Sequence, residues 1–174
     1  MKRLLLLRHA KAVPGGAKVD DHGRELAARG HSDAPNMGRY MRKHDFVPDL
    51  VLCSTSKRTI ETAELVFGEF REKPDTEFVD ALYLAEADAL IATVRAVSDA
   101  CESVCFVGHN PGMEVCAGIL ARDPVKRKEK DALDALEEKF PTCALAILDF
   151  DLKRWRDMEP GTGVLIDFVR PRDL

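Results

Sequence analysis

The sequence predicts an α/β fold: a mostly parallel central sheet with helices on both faces and edge strands at the C-terminal end. Three observations carry the prediction. Short apolar runs such as "RLLLLR", "DLVLCS" and "SVCFVG" read as buried strands, amphipathic helical stretches alternate with them, and the last two apolar runs flank a single turn region. At 174 residues and 45% hydrophobic the chain can bury a sizeable core, and its length fits a single domain over residues 1–174.

Taken in order, "RLLLLR" is the first strand, four consecutive leucines that stop against Arg8 and His9, two side chains that are costly to bury unpaired. The loop "KAVPGGAKVDDHG" follows, its Pro, paired Gly and Asp residues forbidding regular structure. From Arg24 to about His44 the apolar residues recur at helical spacing, with Pro35 expected in a first turn or at a kink. "DLVLCS" is a second strand, and "SKRTIETAELVFGEF" a helix with Ser54 or Ser56 available as N-cap. "TEFVDALYL" is extended, "EADALIATVRAV" an amphipathic helix, "SVCFVGH" a third clear strand, and "NPGMEVCAGIL" a helix with Pro111 near its start. "PVKRKEK" running into "DALDALEEKF" reads as a solvated helix face. "TCALAILDFD" and "VLIDFVRP" close the chain as strands around "PGTG".

Composition excludes several function classes. With 26 Lys and Arg against 30 Asp and Glu the net charge is −4, so nothing global attracts nucleic acid or an anionic membrane, and an anionic ligand needs a local cluster of cations. No apolar run approaches the roughly 18 residues of a membrane helix, and the leucines are too few for a signal peptide, which points to a cytoplasmic protein. Cys53, Cys101, Cys105, Cys116 and Cys143 form no Cys-x-x-Cys pair and read as reduced core thiols. His22, His31 and His44 lack ligand spacing, so no metal site is expected.

In an open α/β sheet, ligands bind beyond the carboxyl ends of the strands. Those ends carry Arg8 and His9, then Ser54 to Arg58, then Gly108, His109 and Asn110, so two arginines and two histidines meet at one rim. Taken singly, His9 reads as a structural histidine, Arg58 as a surface arginine paired with Glu61 or Glu64, and His109 as a helix-entry residue. Clustered in an acidic protein, they call for an anion. A phosphoryl group suits them, because arginine forks match its oxygens and a neutral imidazole can attack phosphorus when its other nitrogen is held by a backbone acceptor. On that chemistry His9 is the nucleophile, Arg8 and Arg58 bind the phosphoryl oxygens, and His109 donates to the transition state. Asn110 reads as a phosphate donor or a helix cap, Lys11 as a solvated lysine at the pocket mouth, and Ser54 and Thr62 as partners of backbone groups. A noncatalytic phosphate-binding module would need the arginines but would have no use for a nucleophile.

These residues resemble the three motifs of the histidine phosphatase superfamily, the phosphoglycerate mutase-like branch 1. "LLRHAKA" is similar to its Arg-His-Gly/Ala signature, and "CSTSKRTIETAEL" to Ser-x-x-x-Arg-x-x-x-Thr-Ala, with Ser54, Arg58, Thr62 and Ala63. "CFVGHNPGME" resembles the third motif. The short length, Ala10-Lys11 after the histidine and the Gly-His-Asn-Pro sequence most resemble the small SixA-type phosphohistidine phosphatases. "DDHGRELAARG" is similar to their stretch in which an arginine, here Arg24, contributes to the phosphate pocket. The resemblance implies a phosphoglycerate mutase-like fold and a cofactor-free phosphatase in which His9 is phosphorylated and then hydrolysed. The substrate would be a protein carrying phosphohistidine or a small phosphorylated molecule. Larger members carry a general acid between the second and third motifs. Here "ALYLAEADAL" offers Glu86 and Asp88, which suit a helix N-terminus equally well. A phosphorylated imidazole departs as a group whose conjugate acid has a pKa of about 6.5, so it needs that acid less than an alkoxide does. The balance tilts toward phosphohistidine over a general phosphomonoester or a sugar phosphate.

Overall fold

The computed structural model describes residues 1–174. One sheet contains β1 (Lys2–Arg8), β2 (Leu50–Ser54), β3 (Asp75–Val79), β4 (Ser103–Gly108), β5 (Leu145–Phe150) and β6 (Val164–Val169), in the order β3-β2-β4-β1-β5-β6. The first four strands run parallel, β5 runs antiparallel to both its neighbours β1 and β6, and β6 therefore returns to the direction of the first four. The fold class is therefore as the sequence predicts, with β5 inside the sheet and only β6 at its edge. The helices are α1 (Ala28–Lys43), α2 (Lys57–Phe67), α3 (Ala87–Arg95), α4 (Gly112–Leu120) and α5 (Arg127–Glu138). No helix is long and apolar enough to cross a membrane.

The four leucines of β1 are all buried because both faces of the sheet are covered. Leu5 and Leu7 pack with Met37 of α1 and Val66 of α2, while Leu4 and Leu6 pack with Leu90 of α3, Leu120 of α4 and Leu136 of α5. A strand buried on both sides loses the polar alternation of a half-exposed one. Truncating one such leucine to alanine costs about 2–5 kcal/mol.

Strand register brings the motifs to one level. Arg8 pairs with Gly108 and Cys53 with Val107, so Arg8, Ser54 and Gly108 end side by side. Two glycines then set how closely the flanking segments approach this rim. A Cβ on Gly30 would lie 2.3 Å from the Lys11 carbonyl oxygen, so α1 rests on the loop after β1. A Cβ on Gly112 would lie 1.9 Å from the Ala85 carbonyl oxygen, so the start of α4 abuts the residues that lead into α3.

One helix boundary differs from the reading of the sequence. Helix α1 begins at Ala28, not Arg24, because the preceding residues are bound to the first loop. Ala12 bridges Leu26, the Val13 N–H donates to the Glu25 carbonyl, and the Ala27 N–H donates to the Lys11 carbonyl. Pro35 sits mid-helix instead of in the first turn, where its missing N–H leaves the carbonyl of exposed His31 to water.

Candidate active site

His9 leaves β1 with its N–H bonded to the Gly108 carbonyl at 3.0 Å, while the Cys143 N–H donates to the His9 carbonyl at 3.0 Å. Its ring is fixed by a 2.7 Å bond between Nδ1 and the Ala10 carbonyl. A carbonyl only accepts, so Nδ1 carries the proton and Nε2 keeps a lone pair. The residue is 8% exposed, and burial, helped by Arg58 and Arg8, outweighs the Ala10 carbonyl and pushes the imidazole pKa down to about 4. It is therefore neutral at pH 7. Thr62 ties this turn to α2, because its hydroxyl accepts the Ala10 N–H at 2.9 Å and donates to the Arg58 carbonyl at 2.6 Å.

His109 faces His9 with ring centroids 5.4 Å apart. Arg58 Nη2 donates to His109 Nδ1 at 3.3 Å, and a guanidinium can only donate, so the His109 proton is on Nε2, which donates to Ser54 Oγ at 2.8 Å. Ser54 thus serves a histidine and not the backbone group the sequence suggests. Burial first, then His9 and Arg58, push the His109 pKa down to about 3.

Arg58 is 2% exposed and pairs with neither Glu61 nor Glu64. Its counter-ion is Asp21, whose carbonyl accepts from Nη1 at 2.6 Å and whose carboxylate accepts from Nη2 at 3.1 Å. The Tyr83 hydroxyl also donates to that carboxylate. The Tyr83 bond, with Arg24 and Arg58, holds the Asp21 carboxyl well below the usual carboxylate range. The Tyr83 ring meets His109 edge-on at 5.4 Å and lies 5.9 Å from the Arg58 guanidinium. Tyr83 and Asp21 therefore frame the cluster, and sequence reasoning missed both. The available signals were slight: an aspartate three residues before Arg24 and a tyrosine after an extended segment.

The other candidates divide between two edges of the site. Arg8 Nη1 donates to the Phe140 carbonyl at 2.7 Å, and Asn110 Nδ2 donates to the same oxygen at 3.1 Å and to Glu114 at 3.0 Å. Asn110 does not cap α4, whose N-cap is Pro111. Arg24 adds to the field that lowers the His9 pKa, but its donors are engaged by Asp21 at 3.0 Å and the Val13 carbonyl at 2.8 Å. Glu86 is the exposed N-cap residue of α3 and Asp88 lies in its first turn, as a helix terminus favours. Arg8 and Arg58 each keep a buried Nε with no partner in the protein, donor capacity that the fold itself does not use. No group of three His, Cys, Asp or Glu side chains is placed to hold a metal ion. A neutral imidazole with a free Nε2 can attack an anionic phosphoryl group, and the buried Arg58 and half-buried Arg8 beside it can stabilise the oxygens.

Comparison with known proteins agrees with this chemistry. A family model described as the histidine phosphatase superfamily (branch 1) matches residues 4–83, a span that holds the first two motifs but not His109. The chain is 32% identical over 167 residues to the uncharacterized protein Rv1276c of Mycobacterium tuberculosis, covering 95% of this chain and 100% of that one. A structure from Nakamurella multipartitia, provisionally assigned as the phosphohistidine phosphatase SixA, superposes with a TM-score of 0.82 at 30% identity, covering 98% of this chain and 96% of that one. A structure from Agrobacterium tumefaciens with the same provisional assignment gives 0.77 at 30% identity, covering 98% of each.

Proposed function

The chain belongs to the histidine phosphatase superfamily (branch 1), and we propose that it is a SixA-like phosphatase that removes phosphoryl groups from phosphohistidine through a covalent intermediate on His9. The observation that carries this reading is the Nδ1 bond to the Ala10 carbonyl, which leaves Nε2 as the only basic nitrogen of a buried, neutral ring. In the first step the Nε2 lone pair forms a bond to phosphorus as the bond to the leaving imidazole breaks, and the electron pair departs with that imidazole. In the second step water attacks phosphorus, the P–N bond breaks with its electrons returning to Nε2, and both protons of the water leave with the released dihydrogen phosphate. Arg8 and Arg58 neutralise the phosphoryl oxygens, and His109, its Nε2–H held by Ser54 and its Nδ1 accepting from Arg58, orients the Arg58 guanidinium rather than serving as the free donor the sequence suggests. Asn110 and Arg24 act from further out, through the carbonyls and the carboxylate they hold. No metal or organic cofactor takes part in these steps.

Glu86 bears on substrate choice. It stands exposed, bonded to no histidine or arginine, which supports a leaving group that needs little acid assistance. A second reading, hydrolysis of phosphomonoesters by the same residues, is favoured by its place beside the start of α4, three residues from His109. The experiment compares phosphate release from a phosphohistidine protein and from an aryl phosphate, in chelator, for wild type and His9→Ala. Rapid release from phosphohistidine that vanishes in His9→Ala is expected. Turnover of the aryl phosphate alone would reject the substrate, and phosphate binding without turnover of either would reject the enzyme.

A further inference from the structure

Next to the histidine site, and sharing Arg8 with it, lies a cavity of about 420 Å³ whose wall holds Pro141 and Pro171 but no aromatic or aliphatic side chain. Six cations line it, Arg8, Lys11, Arg29, Lys139, Arg170 and Arg172, against one carboxylate, Glu138. They come from four parts of the chain: the end of β1 with the loop after it, the start of α1, the connection between α5 and β5, and the turn after β6. The counter-ions are incomplete. Arg170 and Arg172 share Glu138 at 2.8 and 3.2 Å, Arg170 also takes Asp173 at 2.9 Å, and Arg29 takes Asp33 at 3.4 Å. Lys11 and Lys139 form no ion pair, so three carboxylates answer six cations in a chain whose net charge is −4.

Like charges converging in a concave wall reinforce one another's field and concentrate anions there. The absence of aromatic and aliphatic anchors narrows the ligand further. A protein partner would want aromatic or aliphatic anchors, and a nucleobase would want a stacking surface. This cavity offers charge and N–H donors, which suit a compact, strongly charged anion.

We propose that the cavity is a second anion subsite, binding a phosphate-sized group that the substrate carries in addition to the phosphoryl group presented to His9. The proposal rests on the phosphatase chemistry in its second form, hydrolysis of small phosphomonoesters: the preferred substrates bear two phosphate-like anions, with Arg8 common to both subsites. Lys11 and Lys139, free of carboxylates, supply the long-range attraction. Arg170 and Arg172 exchange part of their Glu138 contact for the ligand.

Calorimetric titration of the His9→Ala protein tests this without consuming any ligand. The ligands are ethyl phosphate and a series of α,ω-alkane diphosphates of two to six carbons, and the background variant is Lys139→Ala/Arg172→Ala. Both of those side chains are exposed and lie outside the core, so the fold survives their removal. At least one diphosphate should bind about tenfold or more tightly than ethyl phosphate, a factor typical of one added charge-assisted contact. The double variant should abolish that advantage while leaving ethyl phosphate within about twofold, and Glu138→Gln should increase it. Diphosphates no tighter than ethyl phosphate at every length, or equal weakening of both ligands by the double variant, would overturn the subsite. A preference for glutamate-flanked phosphohistidine peptides with none for any diphosphate would overturn it as well. Aryl phosphate turnover by the unmodified protein, measured in parallel, reports separately on the phosphatase reading.

Discussion

Acidifying the buffer probes the protonation state of His9 directly. An exposed imidazole has a pKa of about 6.5, whereas burial beside two arginines brings His9 to about 4. At about pH 5.5 the neutral, nucleophilic fraction is then about 97%, against about 9% for an unshifted ring. The predicted kcat/KM at that pH is thus about tenfold above that of an exposed nucleophile. The assay is kcat/KM for an aryl phosphate between about pH 3.5 and pH 8, with the substrate's own second ionisation divided out. The acid limb should centre near pH 4, and a limb centred near pH 6.5 would refute the reasoning. The same shift is a statement about stability. Because the folded pKa lies below the unfolded one, the unfolded chain takes up its proton first as the pH falls. The contribution of neutral His9 is complete above about pH 6.5 and is lost on the way down to about pH 4. Between about pH 7 and pH 5 that loss is about 2 kcal/mol, so urea denaturation should show wild type losing more stability than His9→Gln over this interval.

The remaining predictions address the frame of the site. Tyr83→Phe removes a donor from the Asp21 carboxylate and should cost about 1 kcal/mol in denaturant unfolding at pH 7; no change would show that the tyrosine does not hold the loop. Gly112→Ala places a Cβ 1.9 Å from the Ala85 oxygen and should destabilise by more than about 2 kcal/mol, whereas Gly118→Ala, with open space around it in the same helix, should be neutral or stabilise by up to about 1 kcal/mol. Glu86→Gln should slow an alkyl phosphate far more than phosphohistidine, and equal effects on the two would remove the leaving-group argument.

The fold was largely legible because its signals are local. A short unbroken leucine run bounded by polar residues reads as a strand covered on both faces, and the alternation of such runs with amphipathic stretches sets the layers. The meeting of Arg8, His9, Arg58 and His109 was legible through a topological rule, since strand ends on one edge of a parallel sheet must come together. What escaped the sequence depends on distant partners. The Asp21 carboxylate faces Arg58 across 37 residues, and the Phe140 carbonyl meets Arg8 across 132. A backbone carbonyl carries no residue-type signal at all. Residues 24–27 carry a helical pattern but form no helix, because bonds to Lys11, Ala12 and Val13 engage their backbone before a helix can. The cationic cavity was hidden for the same reason. Arg170 and Arg172 follow the last strand, and only the placement of β6 beside β5 brings them near Lys11.

The most direct measurement is to quench turnover of a radiolabelled phosphohistidine protein within milliseconds in alkali, digest the enzyme and map the label. A label that is acid-labile, stable to base, confined to Nε2 of His9 and absent from His9→Ala is the predicted result. A label on His109, or undiminished turnover by His9→Ala, would contradict the assignment of His9 as nucleophile.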